Sequence, residues 1–188
     1  MDTETAENRF MLKIAHLINP VKVNESSDLH FAQPITFETM RLAKEFAGGT
    51  AGMFQRFRQP FEIELLTVQY PEDHEIIPPF FRKLPDLERS VLHISSFQNK
   101  KKYPLIVDVL QKLYESSDAE YLVYTNSDIA LMPQFYLAVI DFISQGYDGF
   151  IINRRRVSRK FISLSDIPLL WSEIGSPHPG FDCFVFHR

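Results

Sequence analysis

The residues best suited to chemistry fall in three short stretches. In YLVYTNSDIALMP, residues 121–133, an apolar run ends in Asn126, Ser127 and Asp128 and resumes at once with Ile129, Ala130 and Leu131. Burying a carboxylate without a partner is costly, so the interruption implies a strand end open to solvent, a turn, or a cation. The turn has a plain mechanism, because Asn, Ser and Asp side chains bond the local backbone and Met132-Pro133 opens another helix directly afterwards. In SPHPGFDCFVF, residues 176–186, Asp182 follows a Pro-Gly pair and precedes an apolar strand, so it too is a carboxylate at the margin of a core. Its plainer roles are to cap that strand or to pair with an arginine. Arg154, Arg155 and Arg156 end another apolar stretch, where a planar guanidinium can match phosphate oxygens or simply form a solvated face.

These side chains need a frame. Residues 10–18, FMLKIAHLI, form an apolar run closed by Asn19 and Pro20 and are expected as a buried strand. After QPIT, Thr36 is the expected N-cap of a helix over FETMRLAKEFA, stopped by Gly48 and Gly49. FEIELLTVQY, 61–70, reads as a second strand ended by Pro71, and a proline-rich crossing follows. RSVLHIS, 89–95, is expected as a short third strand, and Pro104 opens a helix through Ser117. Strand AEYLVYT, the polar break, helix QFYLAVIDFISQG, strand DGFIINRR and strand FDCFVFHR complete the chain. Strands alternating with helices through short links predict an α/β domain with a mainly parallel central sheet flanked by helices.

In such sheets ligands bind beyond the carboxyl ends of the strands, where Asn126, Ser127 and Asp128 are expected. A carboxylate held there can take a divalent cation through one or two oxygens and leave the rest to water and diphosphate, as magnesium or manganese does. Asp128 is then the metal ligand, with Asn126 on a ribose hydroxyl or a metal-bound water.

The order of elements, with YLVYTNSDIALMPQFY, GFIINRR and HPGFDCFVF, resembles the nucleotide-diphospho-sugar transferases of the GT-A fold over residues 10 to 188. The signature of that family is Asp-x-Asp at the end of a central strand, and here its first position is Asn126, which removes one negative charge. The resemblance implies a glycosyltransferase moving a sugar from a nucleotide-diphosphate donor to a hydroxyl acceptor. It assigns Asp128 to a manganese or magnesium ion and Asn126 to the first signature position. Asn19 and Tyr70, with Glu72 and Asp73, fall beside base and ribose, and Arg154, Arg155 and Arg156 offer a partner for the diphosphate. Asp182 matches the carboxylate that binds the acceptor or acts as base. A non-catalytic nucleotide or nucleotide-sugar binding module is the alternative, and a nucleotidyltransferase lacks the Gly-rich basic loop expected after the first strand.

Composition sets the outer bounds. A chain of 188 residues suits one domain, and its 17 phenylalanines mark a packed globular protein rather than a solvated segment. Residues 1–9 are expected as a disordered tail and 10–188 as a single domain. A net charge of -4 gives no general attraction to nucleic acid, and no apolar stretch suits a membrane span. Cys183 is the only cysteine, which excludes an internal disulfide and agrees with a cytoplasmic location. His178 and His187 are candidate metal ligands whose ordinary alternative is exposure. P-loop, GxGxxG and GxSxG motifs are absent. An apolar strand running to Arg188 predicts that the chain continues in nature.

Overall fold

The computed structural model describes residues 11–53, 59–98 and 100–188. The expected tail, 1–9, and Phe10 lie outside them. The strands are β1 (Leu12–Ile18), β2 (Phe61–Thr67), β3 (Arg82–Lys83), β4 (Tyr121–Thr125), β5 (Gly149–Arg156) and β6 (Ser176–His187). The helices are α1 (Asp28–Thr50), α2 (Ile106–Ser116), α3 (Phe135–Ser144) and α4 (Ile167–Ser172).

Six strands form one sheet in the order β3-β2-β1-β4-β6-β5. β1 pairs parallel with β2 and β4, and β2 pairs parallel with β3. β6 runs antiparallel to both of its neighbours, so every other strand points one way. The carboxyl ends of β1, β2 and β4 therefore share a rim, as the sequence pattern predicts for a mainly parallel α/β sheet.

Alternation along the strands feeds two cores. Leu12, Ile14, Ile63, Leu65, Val123 and Val185 face Phe37, Met40 and Ala43 of α1 and Leu137 and Ile140 of α3. Ala15, Leu17, Leu66, Val68 and Leu122 face Val109 and Leu113 of α2 on the opposite side. Each fully buried aliphatic chain contributes roughly 1.5–3 kcal/mol, so the two layers fix the central strands firmly. A smaller cluster of Ile35, Phe161, Ile167 and Leu170 seats the segment between β5 and β6 against α1.

Three expectations need correction. α1 starts at Asp28 and runs through Pro34, and Thr36 is an interior residue whose hydroxyl donates to the Ala32 carbonyl at 3.1 Å. Gln33 explains the earlier start: its amide accepts from the Val21 N–H at 2.8 Å and donates to the Val21 carbonyl at 2.7 Å, locking the loop after β1 onto the first turns. Gly48 and Gly49 do not stop this helix, which ends at Thr50. Residues 89–95 are no strand: Ser90 makes one bridge to Pro104 and Val91–His93 form a 3₁₀ turn. The third strand is Arg82–Lys83, beside Leu66 and Thr67.

Among the described residues no helix is long and apolar enough to cross a membrane.

Candidate functional site

β4 delivers the polar break to the rim. The strand is buried up to Thr125, Asn126 and Asp128 emerge, and Ser127 between them turns inward. The support below is polar but closed. His16 on β1, fully buried, contacts the Tyr136 hydroxyl through Nδ1 at 2.8 Å and the Thr125 hydroxyl through Nε2 at 2.9 Å. Burial pushes the His16 imidazole down to about 3, so it stays neutral and knits β1, β4 and α3 together. Beyond Asp128 the chain is pinned again, where the Leu131 N–H donates to the Thr39 hydroxyl on α1 at 3.0 Å.

The emerging residues meet side chains from β5 and β6. Register pairs Thr125 with Cys183, which sets Asp182 beside Asn126. The Asn126 amide donates to Asp182 Oδ1 at 3.1 Å. Arg154 lies between the two carboxylates, with Nε 2.9 Å from Asp182 Oδ2 and Nη1 3.5 Å from Asp128 Oδ2. The shorter contact is a charge pairing without hydrogen-bond alignment: Arg154 Nε and Asp182 Oδ2 are both buried with no hydrogen bond. His178 completes the group, its Nε2 3.1 Å from Arg154 Nη2 and its Nδ1 accepting from the Gly180 N–H at 2.8 Å. Gly180 is required by close approach, since a Cβ there would stand 2.7 Å from His178 Cε1.

Asn126, Asp128, Arg154, His178 and Asp182 are thus brought together, and the remaining sequence-derived candidates stand elsewhere. Asn19 donates to the Val68 carbonyl at 2.7 Å and ties the ends of β1 and β2. Tyr70 is buried, its hydroxyl donates to the Arg89 carbonyl at 2.8 Å and Lys102 covers its ring, so it presents no surface on which a base could stack. Asp73 accepts from the backbone of Lys22 and Tyr70 and is structural; burial raises its pKa. Glu72 pairs with Lys102 at 2.6 Å. Arg155 donates to the carbonyls of Ile174 and Gly175, and the Arg156 side chain is exposed. Alternation sets Arg155 apart from Arg154: Phe150 and Ile152 pack toward the α1 and α3 core, Arg154 continues that face past the apolar edge, and Arg156, of the same parity, is exposed at the end of the strand. His178, expected as a metal ligand or an exposed residue, instead lies on β6 with its partners on β5 and at Gly180.

A bound magnesium or manganese ion needs several convergent oxygen donors. Here Asp128 and Asp182 both face one guanidinium, and the amide at the first signature position turns its N–H toward Asp182. Among the described residues no three His, Cys, Asp or Glu side chains are placed to hold an ion. The donor set does not fit a divalent cation, and the expected metal role of Asp128 finds no support in it. The role expected of Asp182 is also altered, since its side chain is 13 % exposed and both oxygens face protein groups, whereas Asp128 is 38 % exposed with one long contact.

A separate apolar cavity of about 390 Å³ opens on the same rim beyond β1 and β2, between Val21, Phe37, Ile76, Phe80 and Leu164. None of the clustered polar residues lines it.

No protein-family model matches the sequence, and no curated protein matches it closely enough to count as a relative. Solved structures of similar outline include a 4-diphosphocytidyl-2C-methyl-D-erythritol synthase from Anaerococcus prevotii, at 11 % identity and TM-score 0.46, covering 97 % of this chain and 72 % of that one. Another, from Desulfovibrio desulfuricans and assigned as a nucleotide-diphospho-sugar transferase, has 12 % identity and TM-score 0.42, covering 94 % of this chain and 64 % of that one. The likeness is one of outline.

Proposed function

We propose that the chain binds a nucleotide-diphospho-sugar at the rim and transfers its glycosyl group to a hydroxyl acceptor. The observation that carries this reading is the Asn126, Asp128, Arg154, His178 and Asp182 cluster, drawn from three strands to the carboxyl end of β4. A guanidinium held among carboxylates at such an end suits a diphosphate, and an open carboxylate beside it suits a proton acceptor. In the step proposed, the bond from the anomeric carbon to the diphosphate oxygen breaks and its electron pair leaves with the nucleoside diphosphate. The acceptor oxygen bonds to that carbon, and its proton passes to Asp128. Asp182 and Asn126 act as positioning residues that hold Arg154 in place.

Nucleotide release from a panel of nucleotide sugars and hydroxyl acceptors, run with Asp128→Asn alongside, tests this. Turnover is expected to fall at least about 100-fold in the variant while donor affinity changes little, the loss typical of removing a general base. Full turnover by Asp128→Asn, or no donor binding by the native chain, refutes the reading.

One observation favours a second reading, a non-catalytic binding module: Asp182, the carboxylate expected as base, is turned into the cluster. Tight donor binding with no turnover for any acceptor marks that outcome.

A further inference from the structure

We propose that the edge shared by Arg154 and His178 is an anion subsite that takes a phosphate group without a divalent metal, with the Arg154 guanidinium as the site's fixed cation. The inference rests on the reading of this rim as a diphosphate site and adds how the charge is met.

The argument starts from the imidazole. His178 Nδ1 accepts from the Gly180 N–H at 2.8 Å, so it carries no proton. In a neutral ring the proton is then on Nε2. Nε2 lies 3.1 Å from Arg154 Nη2, a nitrogen that can only donate. Two N–H donors therefore confront each other, and neither satisfies the other. An imidazole that accepted at both nitrogens would have to be an imidazolate, so the contact does not resolve within the protein. An acceptor from outside resolves it. An oxygen within hydrogen-bond reach of both nitrogens can receive a hydrogen from each. A doubly or triply charged phosphate suits such a point better than water because both bonds gain from its charge.

The rest of the cluster prepares this edge. Asp182 sits at Nε of a guanidinium whose side chain is 26 % exposed, and leaves Nη1 and Nη2 to Asp128 and His178. Asp128 touches Nη1 only at 3.5 Å, a contact weak enough to yield to a phosphate oxygen. Gly180 keeps the ring in place, since any side chain there would meet His178 Cε1 at 2.7 Å and Nδ1 at 3.0 Å. The poor fit of the carboxylates to a metal follows from the guanidinium between them.

Isothermal titration of the full chain with inorganic pyrophosphate, once in EDTA and once in manganese, tests the proposal. Binding is expected in both buffers with Kd equal within about threefold. Arg154→Lys keeps the charge between Asp128 and Asp182, so the fold is maintained, but loses the planar fork, and binding weakens about tenfold or more. Gly180→Ala, which removes no binding atom, weakens it several-fold by displacing the ring, with circular dichroism confirming a folded chain. A requirement for manganese, an absence of pyrophosphate binding, or Arg154→Lys binding as the native chain does each overturns the proposal. The two readings separate: metal-free pyrophosphate binding with no affinity for any nucleotide sugar sustains this subsite and ends the donor reading. Donor binding and turnover that need manganese do the reverse.

Discussion

His16 lies directly beneath the Asn126–Asp128 turn with both ring nitrogens engaged, and its burial has a consequence for acid stability. Its pKa is pushed down from 6.5 to about 3 by the loss of hydration. A group whose folded pKa is depressed binds protons preferentially in the unfolded chain between the two values. The stability it confers is therefore fully present above about 6.5 and is lost as pH falls toward 3, by at most about 1.4 kcal/mol per pH unit. Urea titrations at pH 7 and pH 5 are expected to show a larger drop for the native chain than for His16→Gln. An equal drop in both would show that the imidazole has no part in it. Residue identity alone places His16 in an apolar strand; that it carries Thr125 and the rim above it depends on Tyr136, which lies far away in sequence. Arg154 differs, because the alternation Phe150, Ile152, Arg154 is visible in the sequence and sets it apart from Arg155, while Arg156 shares its parity.

The elements legible in the sequence are those whose apolar period is uninterrupted: β1, β2, β4, β5, α2 and α3. α1 and β6, whose starts were misjudged, contain breakers that tertiary contacts override. Pro34 is absorbed because Gln33 and Ile35 anchor α1 around it, and Pro177 enters β6 opposite Arg155, where the ladder is already irregular. The start of β6 depends on Gly175, whose φ is +65° and where a Cβ would stand 2.4 Å from the Arg156 carbonyl oxygen. Gly175→Ala must therefore move backbone at the entry to the strand that bears His178 and Asp182. A cost of at least about 1 kcal/mol is expected, or a melting temperature lower by roughly 2–4 °C or more. An unchanged melting curve would show that the turn rearranges freely.

At the scale of the molecule, the sheet holds a built-in reporter. Cys183 lies on β6 against the larger core, and burial pushes its thiol up to about 12. The thiolate that reacts is therefore scarce, and a reagent must wait for the strand to open. Labelling by a disulfide reagent at pH 8 is expected to have no fast phase and to follow global unfolding as denaturant rises. A rapid burst in native buffer would show that β6 detaches on its own. The α/β class was readable from alternation, but the reversed strand was not, because direction is a property of pairing and no local pattern encodes it.

That reversal bears on how the binding rim comes into being. β6 follows β5 in sequence yet is wedged between β4 and β5, and among the described residues β5 has no other neighbour in the sheet. Until the wedge is driven home, Asn126 and Asp128 stand apart from Arg154, His178 and Asp182. Insertion of β6 is thus what completes the cluster, and a conformer without it lacks the group as a whole.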